Sequence, residues 1–127
     1  MVRSEDGSVQ SLIQGKQQLW ESEKWYKKMG KTIEERHNRY TPEQVANFVV
    51  PDIKDLLGYA DAVRQQTLLY LKNVTAKELD RKPDMTGRPA VFQGLTVAEL
   101  LMLNITHFSG HAGEISYLRG LQRGMDK

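Results

Sequence analysis

The stretch Thr96-Val97-Ala98-Glu99-Leu100-Leu101-Met102-Leu103-Asn104-Ile105-Thr106-His107-Phe108-Ser109-Gly110-His111-Ala112-Gly113-Glu114-Ile115-Ser116-Tyr117-Leu118-Arg119 decides the fold. Thr96 and Glu99 have the spacing of a capping box, in which the two side chains take up backbone N–H groups at a helix start. A strongly apolar run follows. The spacing predicts a long helix from Thr96 to about Gly120 or Gly124, with Arg119 and Arg123 placed to suit the helix dipole at its end. His107 and His111 lie four apart, so both imidazoles leave the same face, one turn apart. Two histidines at this spacing can grip one transition metal. Leu100, Leu103, Ile115 and Leu118 are placed on that face too, so the pair is expected in an apolar stripe, where each unpaired buried polar group costs roughly 1–3 kcal/mol. Metal ligation is one way to satisfy the rings. Hydrogen bonds to Asn104 or Glu114, one turn to either side, are another. A zinc protease is excluded because Phe108, not glutamate, follows His107. Gly110 and Gly113 each cost a helix interior roughly 1 kcal/mol relative to alanine. Their expected use is close approach by another helix or a ligand.

Working outward, Pro51 and Asp52 open a second long helix to about Lys72. Its expected buried stripe is Ile53, Leu56, Leu57, Ala60, Val63, Thr67, Leu68 and Leu71. Thr75 and Glu78 predict one more capped turn, carrying Leu79. Between Lys82 and Gly94, Pro83, Gly87, Pro89 and Gly94 mark a loop, with a short hairpin expected around Val91 and Phe92. Near the middle of the chain, Thr41 caps a short helix, Pro42 takes its first position and Gln44 closes a capping box; it fades near Phe48. A first long helix is predicted from Ser8, as N-cap, to Met29, with Gly30 in the place of a C-terminal glycine. Residues 1–7 are then a flexible lead, and 8–124 a single domain. Three amphipathic helices with polar connections predict an all-α fold, an antiparallel helical bundle. Three is one short of the common four-helix arrangement. Either the first helix folds back into a three-helix core, or a second copy of the chain completes the packing.

With 127 residues, 39% of them hydrophobic, the chain is long enough to bury a sizeable core. Its 18 basic and 16 acidic residues leave a net charge of +2, which calls for neither nucleic acid nor an anionic membrane. There is no cysteine, so disulfides, thiolate metal sites and cysteine nucleophiles are excluded. No apolar run approaches the ~20 residues of a membrane span. Met1 to Gln10 is polar, without the apolar stretch of a secretory signal, and a cytoplasmic protein is expected. Without such a signal, the glycosylation patterns at Asn73-Val74-Thr75 and Asn104-Ile105-Thr106 carry no weight. Ser109 lies two residues from each histidine and points round the helix, which argues against a serine hydrolase. Lys24, Lys27, Lys28 and Lys31 surround Trp25 and Tyr26, an arrangement that can stack bases. Glu21, Glu23, Glu34 and Glu35 neutralise much of that field, so a solvated amphipathic face is expected. Trp20 and Trp25 are candidate packing anchors on a partner helix.

The segment from His107 to Arg119 resembles the C-terminal motif of the DinB-like proteins, His-x-x-x-His-x-Gly-Gln followed by an apolar, arginine-bearing turn. Thr96 to Leu101 looks like the start of the same helix, and Pro51 to Asp80 is similar to the segment before it, so the resemblance runs over roughly residues 8–124. It implies a four-helix bundle, often dimeric, and a divalent metal, nickel or zinc, bound by three histidines. Some relatives are thiol-dependent S-transferases or isomerases that act with low-molecular-weight thiols. On this chain the two C-terminal ligands fall on His107 and His111. The third ligand position falls on Gln18 when Glu23, Trp25 and Tyr26 are aligned with the family's earlier helix. Glutamine binds a transition metal weakly, through its amide oxygen alone. Glu114 replaces the usual glutamine, Gly15 and Lys16 replace a leucine pair, and the family's first helix has no counterpart. His37, in the charged run Glu34 to Arg39, reads as a solvated side chain. Glu21 or Glu23 would turn the pair into a two-histidine, one-carboxylate site.

Two expectations follow. One is a divalent-metal protein, zinc or nickel, with His107, His111 and Gln18 or a nearby carboxylate as ligands, carrying out hydrolase or thiol-transferase chemistry on a small molecule or low-molecular-weight thiol. The other is a non-catalytic homodimer or small-ligand binder in which the histidines are hydrogen-bonded structure.

Overall fold

The computed structural model describes residues 1–35 and 40–124; His37 lies outside them. The described residues form helices, turns and loops with no strand, so the chain is all-α. It divides into two compact units, one of residues Val2–Val74, the other of Thr75–Lys127 together with Met1.

In the first unit the predicted first long helix is broken. Helix α1 spans Val2–Asp6 and runs directly into a π-helical segment, Gly7–Ile13. Ser8 is thus inside a helical stretch rather than capping one, and most of the lead expected to be flexible is helical, with Glu5 and Asp6 buried. The stretch ends at Gly15, whose φ of +65° is the left-handed conformation that glycine adopts without strain. Gly15 N–H donates to Ser11 O (3.1 Å) and Lys16 N–H to Gln10 O (2.8 Å), closing the end. Two single-turn helices follow, α2 Leu19–Ser22 and α3 Trp25–Lys28, separated where Lys24 takes a positive φ of 56°. Helix α3 closes on Gly30 in a Schellman arrangement, Lys31 N–H to Tyr26 O (2.8 Å) and Gly30 N–H to Lys27 O (3.0 Å).

Helix α4, Pro42–Ala46, starts at the Thr41–Gln44 capping box. Helix α5, Ile53–Asn73, is 21 residues long and is capped by Asp52, which accepts from Lys54 N–H at 2.7 Å. Of the expected stripe Val63 and Thr67 are buried, while Ile53, Leu56, Leu57, Leu68 and Leu71 are exposed, and Tyr59, outside that stripe, is buried instead. Tyr59 sets that rotation. Its ring lies 5.9 Å from that of Trp20 and 5.6 Å from that of Trp25, and these three with Leu19, Met29 and Val63 make the core. Gly58 makes room for it, since a Cβ there would stand 3.2 Å from the Trp25 ring. Cations cover the outer ring faces, Arg3 over Trp20 at 4.1 Å and Lys28 over Trp25 at 3.6 Å.

In the second unit, Thr75 caps α6, Ala76–Asp80, by accepting from Glu78 N–H. The loop that follows contains a turn of 3₁₀ helix at Ala90–Phe92 in place of the expected hairpin. Pro89 opens that turn, and Gln93 Nε2 donates to Met85 O (2.6 Å) and to Arg88 O (3.1 Å), which fastens the loop over buried Met85. Val97 N–H donates to Arg81 O at 2.9 Å, tying the end of α6 to the start of α7. Helix α7, Val97–Arg123, is 27 residues long, opens on the full Thr96–Glu99 capping box and ends at Gly124. Val97 and Leu100 are its buried residues, and Met102, Ile105, Ile115, Leu118 and Leu121 are exposed.

Candidate metal centre on the last helix

The α-helical backbone of α7 is unbroken from Val97 to Arg123, so residues four apart are stacked. His107 and His111 accordingly face one another. Their Nε2 atoms are 2.9 Å apart, and the rings meet edge to face with centroids 4.4 Å apart. One turn further on, Glu114 Oε2 accepts from His111 Nδ1 at 2.6 Å. A carboxylate has only lone pairs to offer, so the Nδ1 hydrogen is on His111 and its Nε2 is the nitrogen turned toward His107. Of the two hydrogen-bonding partners expected from sequence, Glu114 is used. Asn104 is not, and its Nδ2 is buried without a partner.

The setting is more open than the sequence predicts. His107 is exposed and His111 half-buried, because Leu103, Ile115 and Leu118 are themselves exposed rather than forming a closed apolar stripe around the rings. Leu103, Thr106, His107, Gly110, His111 and Glu114 line an open pocket of about 310 Å³. The pKa of His107 is lowered by partial desolvation, then by the neighbouring His111 and the N-terminal ammonium, with Glu114 opposing. Gly110 and Gly113 do not serve close packing against the described residues. Nothing lies within 4 Å of where a Cβ would stand at either, and Gly110 is one of the residues lining the pocket.

The donor set fits a divalent metal as a two-nitrogen half-site. The 2.9 Å contact is a hydrogen-bond distance between the rings; with each nitrogen about 2.0–2.1 Å from a metal it would subtend about 90°, the angle of an octahedral or square-planar sphere, and the rings would part slightly to take the tetrahedral angle of zinc. A carboxylate on the far nitrogen of a ligating histidine is also the usual outer partner. Among the described residues, no group of three His, Cys, Asp or Glu side chains is arranged to hold a metal. Gln18, the third ligand expected from the family resemblance, belongs to the first unit. There it is the N-cap residue of α2, and its amide lies 3.9 Å from where a Cβ on Gly7 would stand. Glu23, a carboxylate alternative, accepts from Trp25 Nε1 at 3.0 Å.

Sequence reasoning missed the buried polar centre of the first unit. Asp6 is fully buried and accepts from Leu19 N–H and Trp20 N–H, both at 3.0 Å, and from the Tyr59 hydroxyl at 2.6 Å. Burial, and then the bond to Asp6, push the Tyr59 pKa far above that of an ordinary phenol. Beside it, Glu5 pairs with Arg64 at 3.2 Å. The three donors to Asp6 are 13, 14 and 53 residues away, too far for any local pattern to mark it as a cap.

Among the described residues the chain is all-helical, and its last helix carries paired, mutually facing imidazoles backed by a carboxylate. The chain belongs to the DinB superfamily, whose family profile matches residues 7–115, a span that includes Gln18, His107, His111 and Glu114. Among solved structures it is similar to a conserved protein from Enterococcus faecalis, with a TM-score of 0.72 and 25% sequence identity, over 94% of this chain and 69% of that one. No curated protein matches it. The fold is therefore the all-α DinB-like type.

Proposed function

We propose that the protein is a divalent-metal DinB-like protein, with zinc or nickel held by His107 and His111 and a small molecule or low-molecular-weight thiol as its ligand. The observation that carries this reading is the convergence of the two Nε2 atoms to 2.9 Å at the wall of an open pocket. When bound, the ion supplies Lewis acidity toward a water or thiol, the basis of hydrolase or thiol-transferase chemistry. His107 and His111 present their Nε2 lone pairs, Glu114 holds the His111 ring in place, and Leu103 and Thr106 shape the wall against which a small ligand rests. Elemental analysis of protein purified without a histidine tag tests the reading. About one zinc or nickel per chain, lost in His111→Ala, is expected. A metal-free protein whose stability is unchanged by added zinc or nickel overturns it.

A second reading, a non-catalytic homodimer or small-ligand-binding module, is favoured by the exposed apolar side chains Met102, Ile105, Ile115, Leu118 and Leu121, which are distributed around α7. It predicts a dimer whose thermal stability ignores chelators. A compact monomer in sedimentation rules out the dimer.

A further inference from the structure

We infer that Glu114 is a positioning residue for the metal centre, an inference that rests on the metal reading above. Its carboxylate does not join the ligand set; it acts through His111. The 2.6 Å contact from Glu114 Oε2 to His111 Nδ1 is at the short end for a hydrogen bond between a ring N–H and a carboxylate. A free imidazole divides its hydrogen between two nitrogens and rotates about two side-chain bonds. Glu114 removes both freedoms. It keeps the hydrogen on Nδ1, which leaves the Nε2 lone pair for the ion, and it fixes the ring plane so that Nε2 meets its counterpart on His107 at 2.9 Å. Among the described residues His107 has no such backing: its polar contact is with His111, and its other ring neighbour is Phe108 at 5.9 Å. Among the described residues the two rings are therefore unequal, one held from behind by a negative charge and one aligned by its partner.

The charge matters as well as the geometry. With two neutral imidazoles as the ligands α7 supplies, a dication at their Nε2 atoms would meet no compensating charge in its first sphere from this helix. A carboxylate one ring away supplies it. Glu114→Gln keeps an oxygen that can accept from Nδ1 and removes the charge, whereas Glu114→Ala removes both. Glu114 is exposed on α7, so neither change disturbs a packed core.

The test uses the full chain without a histidine tag. Zinc affinity is measured by competition with a chromogenic chelator, and the His111 tautomer is read in the metal-free protein from its ring nitrogen NMR shifts. We expect Glu114→Ala to lose 10- to 100-fold in zinc affinity and its His111 to lose the pure Nδ1–H form. Glu114→Gln should keep that form and lose a smaller part of the affinity, while His111→Ala should abolish binding. Wild-type zinc affinity in Glu114→Ala, with the wild-type tautomer, overturns the positioning role and leaves the metal reading standing. A wild-type protein that binds neither zinc nor nickel overturns the metal reading itself, and this inference with it.

Discussion

Asp6 holds three donors on two oxygens with no solvent exposure, and what happens on removing each partner follows from that. Bonds to a charged acceptor are worth about 1.5–3 kcal/mol each, and stranded buried donors add their desolvation cost. Asp6→Ala should therefore lower the unfolding free energy by roughly 3 kcal/mol or more, and Tyr59→Phe by about 1.5–3 kcal/mol, both measurable by urea titration. Tyr59 also gives the protein an alkaline limit. Its folded-state pKa is raised above its unfolded value near 10, so its contribution is complete below that pH and is lost as pH rises through the window above it. Stability measured from pH 9 upward should fall in the wild type, with a shallower fall in Tyr59→Phe; equal slopes would show that Tyr59 does not set the limit. At the other end of the chain, the histidine pair could be picked out from residue spacing alone, because four residues on a helix is a local relation. Asp6 could not, because its partners are brought to it by the chain's path through α2 and α5.

Elements were legible in the sequence wherever their ends are made by adjacent side chains. The Thr41–Gln44 and Thr96–Glu99 boxes, the Asp52 and Thr75 caps and Gly30 all lie within a few residues of the ends they make. The first helix was not legible as built, because one non-local contact and one local turn break it. Asp6 supplies the cap for α2 from thirteen residues upstream, and the glycine at 15 turns the chain back. Gly15→Ala should cost about 1–2 kcal/mol, the penalty of a left-handed conformation for an L side chain. Gly110 and Gly113 predict the opposite sign. Both lie within a regular helix with open space at the Cβ position, so alanine at either should stabilise by about 0.5–1 kcal/mol in thermal or urea unfolding. If Gly113→Ala instead destabilised the protein, some group must approach that face closely. The apolar stripe of α5 is a different kind of miss. Hydrophobic spacing marked one face, and the aromatic cluster around Tyr59 turned the helix so that Tyr59, Val63 and Thr67 are the buried residues.

On the scale of the whole molecule, metal binding and folding are linked by mass action, so an ion that binds only the folded chain raises its stability. At a zinc concentration 100-fold above Kd the gain should be about 2.7 kcal/mol in the wild type and absent in His107→Ala. Chemical denaturation with and without zinc reads it directly, and an equal gain in the variant would place the metal elsewhere. No helix among the described residues is long and apolar enough to cross a membrane. Helix class, most helix starts, the loop at 82–94 and the pairing of His107 with His111 followed from the order of residues alone, since each depends on groups within a turn or two of one another. The break in the first helix, the choice of buried face on α5, the Asp6 centre and the openness around the imidazoles were decided by tertiary structure. Each depends on what the rest of the chain places against a residue, and burial and long-range hydrogen bonds are properties of that neighbourhood.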